Sequence, residues 1–315
     1  MNLWEHTAAF RTEPSSVMLG KFDGIHRGHQ GLLRCMEEDG LPYRKGLLTF
    51  DFSVAAAGFS DAEQLFVGKE REQIAGAYGF DWMVRLPFTD AVRTMPPEAF
   101  FEEYLLKRCQ ARAIYVGEDY RFGYRRQGDA KLLAGLCETR GVRFRAIPEI
   151  RYGEEKISSS RLRAKLAAGD LSETRAMLGY PYFVTGTVVH GKKIGRTIEF
   201  PTANLSWGNG KLLPPIGVYD TYSLVEGIGY FGITNVGNNP TVRGEGKNAL
   251  TVETHLLDFS KEIYGERMTT FFLEKTREQQ AFPGLDALRT QLAHDKERLY
   301  RVRGRYDLAD VERFA

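Results

Sequence analysis

The chain has 315 residues, a formal net charge of +2 and 43% hydrophobic residues. That length suits two domains or one large one and that apolar fraction suits real cores, while the near-neutral charge gives no argument for nucleic acid or an acidic membrane as partner. No apolar run approaches the ~18–20 residues that span a bilayer, Met1–Phe10 holds Glu5 and His6, and Cys35, Cys109 and Cys137 stand far apart with no CxxC, so neither a leader, a membrane span nor disulfides are expected, and a reducing cytoplasm is.

In chain order, Ser16–Leu19 is short, apolar and partly β-branched and reads as a buried strand. It runs into Gly20-Lys21-Phe22-Asp23-Gly24-Ile25-His26-Arg27-Gly28-His29, where Gly20 and Gly24 permit a sharp turn. Leu32, Leu33 and Met36 then share one helical face. A strand, a glycine-rich turn and a helix start together present free N–H groups and a helix dipole to an anion. HxGH alone fits ordinary turn chemistry and a functional motif equally. Directly behind Phe22-Asp23-Gly24 and opening a helix, it points to nucleotidyl transfer, with His26 and His29 stabilising charge on phosphoryl oxygens and Gly28 leaving room for a phosphate to approach the backbone between the two rings.

Gly46–Phe50, Trp82–Leu86, Ala113–Val116 and Val142–Ile147 read as further strands. Helices are expected over Glu70–Tyr78, over Pro97–Cys109 with Pro97 in its first turn, and from an Asp129 cap to near Gly141. Such alternation predicts a parallel sheet whose ligands gather at the carboxyl ends of the strands. The His26/His29 turn and the loop Val116–Asp129 then share a crevice. That loop holds Arg121, Arg125 and Arg126 among glycines, either as a solvated basic loop or as a phosphate clamp. Ser158, Ser159 and Ser160 precede a basic helix with Arg161 and Arg163. They suit a capping run, or the β- and γ-phosphates of a nucleotide with an arginine on the leaving pyrophosphate.

After Leu178-Gly179 the pattern becomes all-β: Tyr182–Val189, Gly217–Val225, Gly229–Val236, Ala249–Leu256 and Arg267–Leu273 read as strands of a small antiparallel barrel. A closing helix puts Leu285, Leu288, Leu292 and Leu299 on one stripe. Two stretches exceed what a barrel needs. His190–Leu205 carries Gly191, Gly195 and then Pro201-Thr202-Ala203-Asn204, whose hydroxyl and amide suit a magnesium-bound phosphate; a Pro-punctuated strand is the plainer reading. In Thr251–Phe259, Glu253 and His255 share one strand face. Glu253 is either a general base for a hydroxyl or an exposed residue on an edge strand.

LGKFDGIHRGHQ, VGEDYRFGYRRQGD, ISSSRLR, VTGTVVHGKKIGRTIEFPTANL, GVYD, GITNVGNNPT and VETHLLDF, in this order, resemble the bifunctional riboflavin kinase/FAD synthetase family of bacteria over nearly the whole chain. The resemblance implies an α/β plus all-β fold: a Rossmann-like nucleotidylyltransferase domain over residues 1–180 and a Greek-key riboflavin kinase barrel with a C-terminal helix over 181–315. It implies FMN from riboflavin and ATP, then FAD and pyrophosphate from FMN and ATP, with magnesium in both steps, in the cytoplasm, without nucleic acid or membrane; the oligomeric state stays open. Carried over residue by residue, His26 and His29 act on the ATP phosphates, with Gly20, Phe22, Asp23 and Gly24 in the same motif. Asp119 and Arg121 lie near the nucleotide, and Ser158, Ser159, Ser160 and Arg161 near the triphosphate. Thr202 and Asn204 hold Mg-ATP beside Gly191 and Gly195, and Glu253 activates the terminal ribityl hydroxyl.

Three positions depart from the family pattern: Lys21 for its usual Asn, Glu199 for its Gly, and Asp51–Ala57 in place of a Pro/His-rich turn at the flavin site of the transferase. They leave open a riboflavin kinase whose adenylyltransferase half is weak or structural. A flavin-binding regulator without turnover has no need of His26, His29, Thr202, Asn204 and Glu253 together.

Overall fold

A computed structural model describes residues 2–5, 10–51, 63–191, 200–238 and 250–315, with backbone alone over 2–5. Six strands form an all-parallel sheet: β1 (Asn2–Glu5), β2 (Ser15–Leu19), β3 (Arg44–Asp51), β4 (Trp82–Pro87), β5 (Ala111–Gly117) and β6 (Arg143–Ile147), in the order β1-β4-β3-β2-β5-β6. All but β1 follow the predicted runs. β1 is too short and polar to announce itself and forms by pairing along β4. β2 is buried at every residue, as a central parallel strand must be. From β2 the chain moves outward to β3 and β4, then returns to β5 on the other side of β2. The carboxyl ends of β2 and β5 therefore bound the switch point at which such sheets bind ligands.

Helix α1 (Arg27–Glu38) buries Leu32, Leu33 and Met36 as expected. Helix α2 spans Lys69–Ala77. The helix at 97–108 begins with Pro97 and continues as a π-helix over Phe101–Arg108; the Cys109 N–H reaches back five residues to the Tyr104 carbonyl at 2.9 Å. Phe100, Phe101, Tyr104 and Leu105 enter the core with Val17, Leu48, Ile114 and Val116. The Asp129 carboxylate caps α3 (Ala130–Thr139), accepting from the Leu132 N–H at 2.8 Å. The three cysteines are free, Cys109 and Cys137 buried and Cys35 half-buried.

Helices α4 (Ser159–Ala167) and α5 (Leu171–Leu178) lead to a closed antiparallel barrel. Its strands are β7 (Phe183–Val189), β8 (Ala203–Ser206), β9 (Gly217–Val225), β10 (Ile228–Asn238), β11 (Leu250–Leu256) and β12 (Arg267–Arg277), ordered β7-β8-β11-β10-β9-β12. β9, β10 and β11 meander, and the long link from β8 brings β11 back beside β8, a Greek-key path. Glu226 and Gly227, both at positive φ, close the tight β9–β10 hairpin. One barrel face carries Val218 and Ile233, which cluster with Leu299 of helix α6 (Leu285–Val302). The opposite face points inward and is partly polar. Thr221, Thr234 and Thr254 are fully buried and chain their hydroxyls at 2.8 Å, ending on the Gly232 carbonyl. The leucine stripe of α6 is not uniformly buried. Leu299 is enclosed but Leu285, at the helix start, is 52% exposed; the helix is anchored by Asp295, which accepts from Arg277 at 2.8 Å.

Packing divides the chain into two compact units, 1–62 with 71–159, and 63–70 with 160–315. Segment 63–70 belongs to the barrel unit through a fully enclosed ion pair. The Lys211 ammonium donates to Glu70 Oε2 at 2.8 Å, to the Leu65 carbonyl at 2.7 Å and to the Phe183 carbonyl at 2.8 Å, and faces the rings of Phe66 and Tyr182. Glu70 in turn accepts from the Val67 and Thr185 N–H groups. Among the described residues, no helix is long and apolar enough to cross a membrane.

Removing one member of such a pair strands the other charge in a dry site and costs about 3–5 kcal/mol. Lys211→Met should lower the barrel's unfolding free energy by that amount in a urea titration. Adding Glu70→Gln should recover part of it, because the stranded charge is then gone.

Candidate active sites

The first site is built on the turn between β2 and α1. His26 occupies the N-cap of α1 without making a side-chain cap, and no acidic residue lies in the first turn. The leading N–H groups of the helix thus lack a capping side chain and carry the positive end of its dipole. Phe22, at φ 43, and Gly24, at φ 83, carry the backbone through the left-handed region. The His29 Nδ1–H donates to the Gly24 carbonyl at 3.1 Å, and the Phe22 ring meets His29 edge-on at 4.8 Å. The imidazoles of His26 and His29 stack with centroids 3.8 Å apart.

That stacking corrects one expectation. No phosphate fits between rings in contact. Gly28 serves the histidine instead: a Cβ there would lie 3.0 Å from the His26 ring. His26 is 6% exposed, and its Nδ1 is buried with no partner among the described residues. Burial drives its pKa well below the ordinary value, and the His29 and Lys156 charges push the same way. Burial likewise lowers His29 to about 4, against the hydrogen bond to Gly24, with Arg71 adding to the fall. Both rings are neutral at neutral pH.

Arg71 went unnoticed in the sequence, where it is one cation in a helical run. It is buried beneath the turn and donates to the Lys21 carbonyl and, at 3.2 Å, to Thr49 Oγ1, with Asp23 and Asp51 acting on its charge. Lys21 is exposed, so the family's usual Asn is replaced at a position held through its backbone. Asp119, in the loop after β5, is exposed, pairs with Lys156 and acts electrostatically on His29. Arg121 is exposed, its Nη1 donating to the Tyr120 carbonyl, and Arg125 and Arg126 are exposed at positive φ. The Ile157 carbonyl lies 3.9 Å from the Cβ position of Gly28, which brings the start of the Ser158–Ser160 run against the turn. Ser160 accepts from Arg163 at 3.3 Å; Ser160 and Arg161 pack with the second unit. Residues 52–57 of the altered turn lie outside the described residues.

The second site lies on the helix-covered face of the barrel. Strand register sets Asn204 of β8 directly opposite Glu253 of β11, and Glu253 directly opposite Asn235 of β10. Direct partners share a face at Cβ separations of about 4.5–5.5 Å, and Thr202 immediately precedes the start of β8 at Ala203. A side chain at Gly191 would collide with the Asn204 amide, so glycine there is what lets Asn204 lie flat. β11 is an interior strand of a closed barrel and Glu253 is half-buried, which removes the exposed-edge reading. His255 is 6% exposed, with Nδ1 2.9 Å from the Pro201 carbonyl. Burial lowers its pKa, the Pro201 bond opposes and Lys296 adds to the fall. Asn235 and His255 were present in recognised motifs without a role; period-two spacing from Glu253 marks His255, whereas only register reveals Asn235. Gly195 and Glu199 lie outside the described residues.

Thr202 and Asn204 offer neutral oxygens and Glu253 a carboxylate, a donor set that suits a hard divalent cation. Among the described residues no group of three His, Cys, Asp or Glu could cage a metal. The set fits an ion that arrives on nucleotide phosphates.

A riboflavin kinase family model matches residues 178–302 and an FAD synthetase model residues 9–161. The chain is 33% identical to the bifunctional riboflavin kinase/FMN adenylyltransferase of Listeria monocytogenes, over 91% of this chain and 92% of that one. It is 32% identical to the Escherichia coli K12 protein so described, over 89% and 90%. A crystal structure described as a macrolide-efflux protein from Streptococcus pneumoniae superposes with a TM-score of 0.80 at 29% identity, over 94% of this chain and 97% of that one.

The lowered histidines make stability depend on pH. Unfolded, each ring takes up a proton near pH 6.5; folded, His29 resists until about 4. Their contribution is therefore complete above pH 7 and lost as pH falls through 6.5 toward 4. The urea midpoint should drop across that window in the native chain, and drop less in a His26→Asn/His29→Asn variant.

Proposed function

On the premise that this chain belongs to the bifunctional riboflavin kinase/FMN adenylyltransferase family, and so makes FMN from riboflavin and FAD from FMN, we propose which residues carry each step. Residues 1–180 carry the adenylyltransferase and residues 181–315 the kinase, while by packing the segments 63–70 and 160–180 belong with the barrel. The supporting observation is that each unit holds its own set of phosphate-directed groups: stacked neutral histidines at an uncapped helix start in one, an Asn204–Glu253 cross-strand pair in the other.

In the transferase, an FMN phosphate oxygen attacks the α-phosphorus of ATP, the α–β anhydride bond breaks and pyrophosphate leaves. The N–H groups at the start of α1 receive the phosphates. His29 commits its Nδ1–H to Gly24, so the neutral ring offers only a lone pair at Nε2. An arriving triphosphate favours the charged ring and raises its pKa. His29 then takes a proton at Nε2 and donates it as a hydrogen bond to the phosphoryl oxygens, where charge grows. Gly20, Phe22, Asp23 and Gly24 hold the turn, Asp119 and Arg121 border the nucleotide, and Ser158 and Ser159 border the triphosphate; Ser160 and Arg161 pack with the barrel unit and have no part in this site.

In the kinase, Glu253 takes the proton of the terminal ribityl hydroxyl, the oxygen attacks the γ-phosphorus and ADP leaves. Thr202 and Asn204, with Gly191 and Gly195 of the same motif, would hold the nucleotide's phosphates together with magnesium. When bound, the ion supplies charge neutralisation of those phosphates. ATP, riboflavin, FMN and FAD are the small-molecule partners, and the site of action is the cytoplasm.

Paired variants test the assignment on the full chain, with riboflavin, FMN and FAD separated by chromatography. His26→Ala or His29→Ala should cut FAD formation by ~10²–10³ and spare FMN formation. Glu253→Gln should cut FMN formation by ~10²–10⁴ and spare conversion of supplied FMN to FAD. Loss of both products in either variant would overturn the two-site assignment.

A further inference from the structure

His255 has no part in the chemistry above, yet it joins the two pieces of the kinase site. It lies two residues after Glu253 on the same strand face and is 6% exposed. Its Nδ1 lies 2.9 Å from the Pro201 carbonyl. A carbonyl only accepts, so Nδ1 carries the proton and Nε2 the lone pair. Nε2 is buried without a partner among the described residues. The ring also packs at 5.1 Å against Phe200, which Lys296 of α6 overlies at 5.9 Å. Pro201 is the residue before Thr202 and has no N–H of its own to anchor it. Just upstream of Ala203, where ladder pairing with Thr254 begins, the His255 bond to Pro201 and the Phe200 ring contact tie the described backbone to β11.

We propose that His255 is a positioning residue for the kinase: its Nδ1–H holds the Pro201 carbonyl and so sets where the Thr202 hydroxyl and the Asn204 amide meet the phosphates of Mg-ATP. The inference rests on Thr202 and Asn204 being the nucleotide-holding pair. It assigns to a buried imidazole the task that second-layer partners perform at metal and phosphate sites, where their loss costs about 10–100-fold in affinity or activity.

Two substitutions separate the ring nitrogens. In His255→Asn the side-chain amide nitrogen falls near Nδ1 and can still donate to Pro201. In His255→Gln the longer amide reaches the Nε2 position and the Pro201 bond is lost. Riboflavin phosphorylation by the full chain is measured against Mg-ATP and against riboflavin, with Asn204→Ala in parallel. The expected result is a KM for Mg-ATP raised about 10–100-fold in His255→Gln, near native in His255→Asn, and an unchanged KM for riboflavin in both. A native KM in His255→Gln alongside a raised KM in Asn204→Ala overturns the role of His255 alone. Equal impairment of the Asn and Gln variants, or equal rises in both KM values, also overturns it, since a merely structural ring would behave so. An unchanged KM in Asn204→Ala removes the underlying reading, and the inference with it. Nitrogen NMR of the unmodified chain is independent of how the variants fold: protonated Nδ1 with unprotonated Nε2 supports the proposal, and the opposite tautomer overturns it.

Discussion

A buried ammonium must find a partner for each of its hydrogens, and Lys211 finds all three inside the barrel unit. The desolvation of Lys211 and Glu70 is offset because no donor or acceptor of the pair is left idle. Glu70 takes two backbone N–H groups besides the ammonium, and two aromatic faces close over the charge. The pair is placed by three separate stretches of chain, 63–70, the start of β7 and the segment before β9. Each supplies a group the others cannot, so the arrangement is all-or-none. This is what makes an eight-residue segment from the first quarter of the chain part of the barrel's core rather than a loop of the parallel sheet.

The histidine turn obeys a similar accounting with the opposite outcome. There the backbone leaves donors uncapped at the start of α1, and the buried cation Arg71 is spent on the Lys21 carbonyl and Thr49. The stacked rings are kept uncharged by burial. Free donors, a helix dipole and two bases short of protons form a place whose unmet needs an anion answers. A strained Phe22 and a glycine at 28 that admits the His26 ring are the local costs of holding it in that condition.

In the barrel, the alternation of strand faces separates support from chemistry. The inward face stacks threonine hydroxyls that satisfy one another, beside the fully buried rings of Tyr219 and Phe272. The outward face is divided between apolar residues under α6 and the row Asn204, Glu253, Asn235. Closure matters here. It makes β11 an interior strand, so Glu253 is flanked on both sides and cannot drift as an edge residue would.

Much of this was legible in the chain because it is local. Strand and helix periods, the Asp129 cap, the glycine turn, and the shared face of Glu253 and His255 each depend on a few consecutive residues, and the order of whole motifs pointed to the family. Tertiary structure alone decided the rest. β1 exists by pairing with β4; the Asn204–Glu253–Asn235 row exists by register between strands up to 49 residues apart, counted from Asn204 to Glu253; Lys211 meets Glu70 across 141 residues. Gly28 shows the limit most clearly: its spacing marked it as special, but whether the space beside it held a phosphate or an imidazole depended on how the His26 ring packs. Local propensities act through neighbouring dihedrals, whereas register, burial and the sharing of hydrogen bonds are settled only when distant segments compete for the same dry volume.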